Sequence, residues 1–113
     1  MHELSLCEGI LQILEEHAQT QGFKRVIAVY LEIGALSGVE PEAMKFSFDV
    51  VVQGTLADKA RLEIIEIPGQ AWCMQCATQV EIQQRFAACP NCASYQLQVV
   101  GGEQMRIKEL EVE

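Results

Sequence analysis

Cys73, Cys76, Cys89 and Cys92 form two Cys-x-x-Cys pairs in a chain that holds 5 cysteines in all. Tetrahedral Zn²⁺ takes four thiolates at about 2.3 Å, and a Cys-x-x-Cys turn sets two sulfurs on one side of the ion without straining the backbone. Two such turns close the shell. Pro90, inside the second pair, suits a rigid turn, and Thr78 to Arg85 is long enough for a short hairpin, which together give the layout of a zinc ribbon. With every coordination position filled by protein, no place is left for water or substrate, so a metal here serves structure rather than catalysis. Two other uses of paired cysteines compete with this one. Disulfides require an oxidising compartment, and Met1-His2-Glu3-Leu4-Ser5 shows neither the basic segment nor the long apolar stretch of a secretory signal. Reduced thiols and a cytoplasmic location are therefore expected. A thioredoxin-like redox centre uses one Cys-x-x-Cys at a strand-to-helix turn, and an active thiol must be exposed and of low pKa; two matched pairs fit a metal better.

A second group of donors opens the chain. The amine of Met1, backbone nitrogens and the His2 imidazole are closely spaced nitrogen ligands, and a square-planar nitrogen set suits Ni²⁺ or Cu²⁺. Spacing alone does not separate this use from an incidental histidine.

The elements that must position these residues fit within 113 residues, 50% of them hydrophobic, enough for one core with a metal-pinned appendage. Cys7, Ile10, Leu11, Leu14 and Ala18 recur at helical spacing and predict an amphipathic helix from residue 5 to about 20, with Ser5 and Glu8 as a capping box and Gly22 as the stop. Cys7 falls on its core face. His17 stands near its end, where an imidazolium favours the helix dipole. Residues 24–33 read as a strand with apolar side chains in both alternating sets: Val26, Ala28 and Tyr30 against Ile27, Val29, Leu31 and Ile33. Such a strand is central and covered on both faces, a cover that a second subunit is able to provide. Pro41 opens a second helix running to about Gln53, with Met44, Phe48, Val51 and Val52 on its apolar face, Phe46 assigned to the core, and its last turn weakened by the β-branched run Val50-Val51-Val52. Residues 61–67 and 104–112 are further strands, the latter with a bulge near Lys108 and Glu109 where the apolar phase changes from Met105 and Ile107 to Leu110 and Val112. The expected class is α+β: a small three-stranded sheet with two helices, and a zinc-ribbon module inserted between the last two strands.

Charge removes one function class. The net charge is −8, and only Glu81 and Arg85 are charged between the outer cysteines, so the ribbon lacks the clustered cations that phosphate binding needs. No apolar run approaches the roughly 18 residues of a membrane span. Neither a nucleic-acid partner nor a membrane is expected.

Met1-His2-Glu3-Leu4-Ser5-Leu6, then Leu31-Glu32-Ile33-Gly34, the paired cysteines and the closing Glu109-Leu110-Glu111-Val112 together closely resemble the HypA/HybF family of hydrogenase nickel-incorporation proteins, over essentially the whole chain. The resemblance implies a metallochaperone and not an enzyme. It places a nickel-binding α/β domain at residues 1–68 and 103–113 and a zinc domain at 69–102. It implies nickel held by the Met1 amine, the backbone nitrogens of His2 and Glu3 and the His2 imidazole, with zinc held by Cys73, Cys76, Cys89 and Cys92. Glu40, near the start of the second helix, is an auxiliary candidate. The implied partners are a HypB-type GTPase and the immature large subunit of a nickel–iron hydrogenase; a homodimer is also allowed. Ala77 and Ala93 depart from the family pattern, since many relatives carry Gly or His directly after a knuckle cysteine. The rival reading is a zinc-ribbon adaptor or nucleic-acid-binding module without a nickel function.

Overall fold

The computed structural model describes residues His2–Glu113. Its elements in chain order are α1 (His2–Gln21), β1 (Val26–Gly34), α2 (Pro41–Val51), β2 (Arg61–Ile67), β3 (Gly69–Cys73), β4 (Thr78–Ile82), β5 (Leu97–Gly101) and β6 (Met105–Val112). One sheet has the order β2-β1-β6; the other, β4-β3-β5, is inserted between β2 and β6. This is the expected α+β class with a ribbon excursion. Backbone contacts divide the chain into a helical unit, Met1–Leu31 with Glu40–Ile65 and Arg106–Glu113, and a cysteine unit, Glu32–Val39 with Glu66–Met105. Among the described residues no helix is long and apolar enough to cross a membrane.

In the helical unit, α1 buries Cys7, Ile10 and Leu14 and ends where Gly22, at φ +81°, donates its N–H to the Ala18 carbonyl at 2.8 Å. Its start differs from expectation. The helix begins at His2, so Ser5 lies inside it and forms no capping box with Glu8. Glu3 explains the extra turn: an acid favoured by the helix dipole, its Oε2 accepts the Glu40 N–H at 3.3 Å and ties the start of α1 to the start of α2. In α2 the Glu40 side chain caps the helix by accepting the Glu42 N–H at 2.9 Å, and Pro41 occupies the first turn, where a missing N–H costs nothing. The helix stops at Val51, two residues before Gln53, in the β-branched run that weakens it. Met44 and Phe48 are buried, but Phe46 is 73% exposed and not core. Two positions from each of them, it is turned about 200° round the helix.

β1 is the middle strand, with Val26 and Ala28 buried in one alternating set and Val29, Leu31 and Ile33 in the other. It begins at Val26; just before it the Lys24 and Arg25 N–H groups bond the Glu113 carbonyl at 2.9 and 3.1 Å, and the Arg25 carbonyl accepts the Glu113 N–H at 3.0 Å. The Tyr30 hydroxyl donates to Glu111, and Arg61 reaches Glu63 at 3.2 Å and Glu111 at 3.5 Å, so one polar cluster links all three strands. Along β6, Met105, Ile107 and Leu110 are half-buried between exposed Arg106, Lys108 and Glu109, so the phase changes at Leu110, but Val112, expected to follow Leu110, is exposed at the strand's end.

The cysteine unit is organised on β3. Antiparallel β4 pairs from Gly69↔Ile82 to Cys73↔Thr78, and β5 pairs on the other side from Ala71↔Val99 to Cys73↔Leu97. Ala71, Cys73, Val80 and Ile82 form the inner face together with Leu36 and Cys89. The hairpin expected within Thr78–Arg85 is therefore β3–β4 instead, because the first cysteine turn itself reverses the chain. Leu36 is held by its N–H on the Gly102 carbonyl at 2.8 Å. Gly102 has φ +84°, and a Cβ on it would lie 2.5 Å from the Gly69 Cα, so only glycine fits.

Candidate metal centres

The two cysteine turns are built alike. Ala77 donates its N–H to the Cys73 carbonyl and Ala93 to the Cys89 carbonyl, both at 2.8 Å. The Cys73 sulfur accepts the Cys76 N–H at 3.3 Å, and the Cys89 sulfur accepts the Asn91 N–H at 3.4 Å. Completing each turn puts Ala77 at φ +56° and Ala93 at φ +62°. These are left-handed conformations that alanine adopts only at a cost. The departure from glycine seen in the sequence thus leaves the backbone path intact and charges it with strain.

All four sulfurs lie within 4.8 Å of one another, with Cys73 and Cys92 3.7 Å apart and Cys76 and Cys89 3.8 Å apart. Both close distances run between the turns, not within them. A regular tetrahedron of zinc–sulfur bonds of 2.3 Å has edges of about 3.8 Å. The cluster therefore fits a structural zinc site. Electrostatics agree with the geometry: hydrogen bonding with the Cys92 sulfur, and then burial, push the Cys76 thiol up to about 12. At Cys89 burial opposes ionisation, but the Cys92 and Asn91 backbone N–H groups prevail and bring it down to about 7. Four thiolates this close repel one another, and a dication removes that repulsion. Cys73 and Cys89 are buried while Cys92 is exposed, so the cluster has one solvent-facing edge.

Of the N-terminal residues, Met1 lies outside the described residues. His2 and Glu3 fall in the first turn of α1, where backbone nitrogens stand outside the helical hydrogen-bond ladder. The His2 side chain is 58% exposed, and its Nδ1 lies 3.5 Å from Glu3 Oε2. The Glu40 N–H, followed by its own N–H, holds the Glu3 carboxyl below the usual carboxylate range. Glu40 is exposed and its carboxylate is engaged in capping α2. The structure thus gathers His2, Glu3 and Glu40 where the starts of two helices meet. A helix start repels cations, and the Glu3 carboxylate beside His2 opposes that repulsion. The Glu3–Glu40 tie has no signal in local sequence, because its partners are 37 positions apart.

The family model described as "Hydrogenase/urease nickel incorporation, metallochaperone, hypA" matches residues 1–112. The chain belongs to the HypA family. It is 64% identical over 113 residues to the hydrogenase maturation factor HypA of Acidithiobacillus ferrooxidans and 63% identical to that of Alkalilimnicola ehrlichii, in each case covering 100% of both chains. Its fold resembles the solution structure of the Ni metallochaperone HypA from Helicobacter pylori, with a TM-score of 0.66 and 22% identity over 97% of this chain and 96% of that one. A second solution structure, of a HypA protein, gives a TM-score of 0.71 at 23% identity over 100% of this chain and 97% of that one.

Proposed function

We propose that this chain carries Ni²⁺ at its N-terminus and passes it to the immature large subunit of a nickel–iron hydrogenase. In this reading the Met1 amine, the His2 and Glu3 backbone nitrogens and the His2 imidazole hold nickel, while Cys73, Cys76, Cys89 and Cys92 hold zinc. Residues 1–68 and 103–113 act as the nickel domain and 69–102 as the zinc domain. The work is done in the cytoplasm, without catalysis, alongside a HypB-type GTPase, and a homodimer is compatible with it.

The observation that carries the reading is the position of His2 and Glu3 in the exposed first turn of α1, in a chain of the HypA family. A carrier must release what it binds, and a helix start reorganises with less disruption than a core. The relatives named hydrogenase maturation factor supply the recipient class. Glu3, with its carboxylate beside the imidazole, orients His2, and Glu40 fixes Glu3 through its N–H.

The test is calorimetric titration of nickel into zinc-loaded wild type, His2→Ala and a form extended by one residue before Met1. His2→Ala removes the imidazole, and extension turns the amine into an amide. Both should abolish specific nickel binding and leave zinc in place. Equal affinity and stoichiometry in all three forms refute the N-terminal site.

A further inference from the structure

The four sulfurs pair between the turns, and the members of each pair differ. Cys92 is exposed, and its sulfur lies 3.7 Å from that of Cys73, which is fully buried. Cys76 is half-buried, and its sulfur lies 3.8 Å from that of Cys89, which is buried. Each pair thus joins an outer cysteine to an inner one. The inner sulfur is also the one that a backbone N–H holds, from Cys76 to Cys73 and from Asn91 to Cys89. Such a donor stabilises a thiolate and makes it a poorer nucleophile. An oxidant arriving from solvent therefore meets Cys92 first, with a partner sulfur behind it on the other turn. The fifth cysteine has no such setting: Cys7 is fully buried against Met44.

Reaction needs ionised sulfur, since the thiolate and not the thiol is the nucleophile. A bound zinc supplies that by keeping its ligands deprotonated. The steps themselves belong to the side chains. The Cys92 thiolate attacks the hydroxyl oxygen of a hydroperoxide: a sulfur–oxygen bond forms, the oxygen–oxygen bond breaks, and the far oxygen leaves as hydroxide or alkoxide, so that Cys92 becomes a sulfenic acid. The Cys73 thiolate then attacks the Cys92 sulfur, expels hydroxide and forms a disulfide. Two electrons have passed from the sulfur pair to the peroxide. Bond formation draws Cys92, which stands in the loop between β4 and β5, toward Cys73 at the end of β3.

We propose that Cys92 is a hydroperoxide-modified site and Cys73 the thiol that resolves it, with Cys76 and Cys89 following as a second pair, so that oxidation exchanges the metal for two disulfides between the turns. The proposal rests on the four-thiolate zinc assignment and not on the nickel site. In a reducing compartment such bonds are transient and report oxidation. The test uses the wild-type full chain. Its zinc content, read first, tests the zinc assignment by itself; the linkages test the proposal. Zinc-loaded protein takes one and then two equivalents of hydrogen peroxide, is alkylated, and is digested with trypsin without reductant. Cleavage at Arg85 leaves Cys73 and Cys76 on the peptide Leu62–Arg85 and Cys89 and Cys92 on Phe86–Arg106, so a bond between turns joins two peptides and a bond within a turn joins none. The first equivalent should give the bond between Cys73 and Cys92 as the main linkage, and the second should add that between Cys76 and Cys89, with all zinc passing to a chromophoric chelator. A 1,3-dione present during oxidation should label Cys92 before Cys76 and leave Cys7 unlabelled. Reductant with added zinc should restore the starting mass and metal content. Bonds within a turn or between two chains, a first label on Cys76 or Cys7, or zinc retained after two equivalents would each overturn the proposal.

Discussion

Cys92→Ser separates the contribution of the metal from that of the apolar core more cleanly than any other cysteine substitution. Cys92 is exposed whereas Cys73 is fully buried, so serine at 92 removes a ligand without placing a hydroxyl in the core. The large apolar residues buried in that core are Leu36, Val80 and Ile82. Burying them contributes about 1.5–3 kcal/mol each, together less than the roughly 10–16 kcal/mol of a structural zinc site. The metal is therefore the larger stabilising term in this unit. One ligand in four carries about 2.5–4 kcal/mol of that, which is roughly a hundred- to a thousand-fold in zinc affinity. Competition with a chromophoric chelator measures the affinity, and hydrogen exchange locates the damage. Protection at Val80 and Ile82 should collapse in the zinc-free variant. Protection at Leu14 and Val29, which belong to the helical unit, should persist. Full zinc stoichiometry at unchanged affinity would refute the four-thiolate site. Unchanged protection after zinc removal would refute the claim that the metal outweighs the core.

Ala77→Gly and Ala93→Gly should each stabilise the zinc-loaded protein by about 0.5–1 kcal/mol, the relief of a left-handed alanine less the entropy of a freer unfolded chain; chemical denaturation checks the sign. Gly102→Ala should destabilise by about 3 kcal/mol or more, because its Cβ would lie 2.5 Å from the Gly69 Cα and 2.6 Å from the Pro68 carbonyl oxygen, at φ +84°. An unchanged thermal midpoint would show that this crossing is looser than described. The Glu3 carboxyl is held below its usual 4.5 by the Glu40 N–H, so the tie it forms is complete above that pH and is lost as pH falls through the lowered value. The Glu40 amide resonance should therefore titrate below 4.5 in wild type and show no such transition in Glu3→Gln.

How much of this was legible in the sequence follows from the range of the interactions. A cysteine turn is decided by four consecutive residues, so spacing alone announced a tetrahedral sulfur cluster, and the two sets of apolar residues in β1 announced a strand between two others. The start of α1 is not legible because the N–H that its Glu3 engages belongs to Glu40, at the cap of α2, and Phe46 is exposed because angular position, not apolar character, decides burial on a helix. The hairpin lies elsewhere than expected for the opposite reason: the four residues that announce a ligand site are also the reversal that joins β3 to β4. That double role also separates the two proposed metal centres. The sulfurs stand at the ends of turns built into a three-stranded sheet, so releasing that metal would disturb the hairpin that holds β3 and β4. Of the proposed nickel donors, those of His2 and Glu3 stand on the first turn of α1, where the Glu3 carboxylate accepts the Glu40 N–H. An ion held there leaves when one exposed turn reorganises and no strand has to part, which is the property a delivery site needs and a structural site must lack.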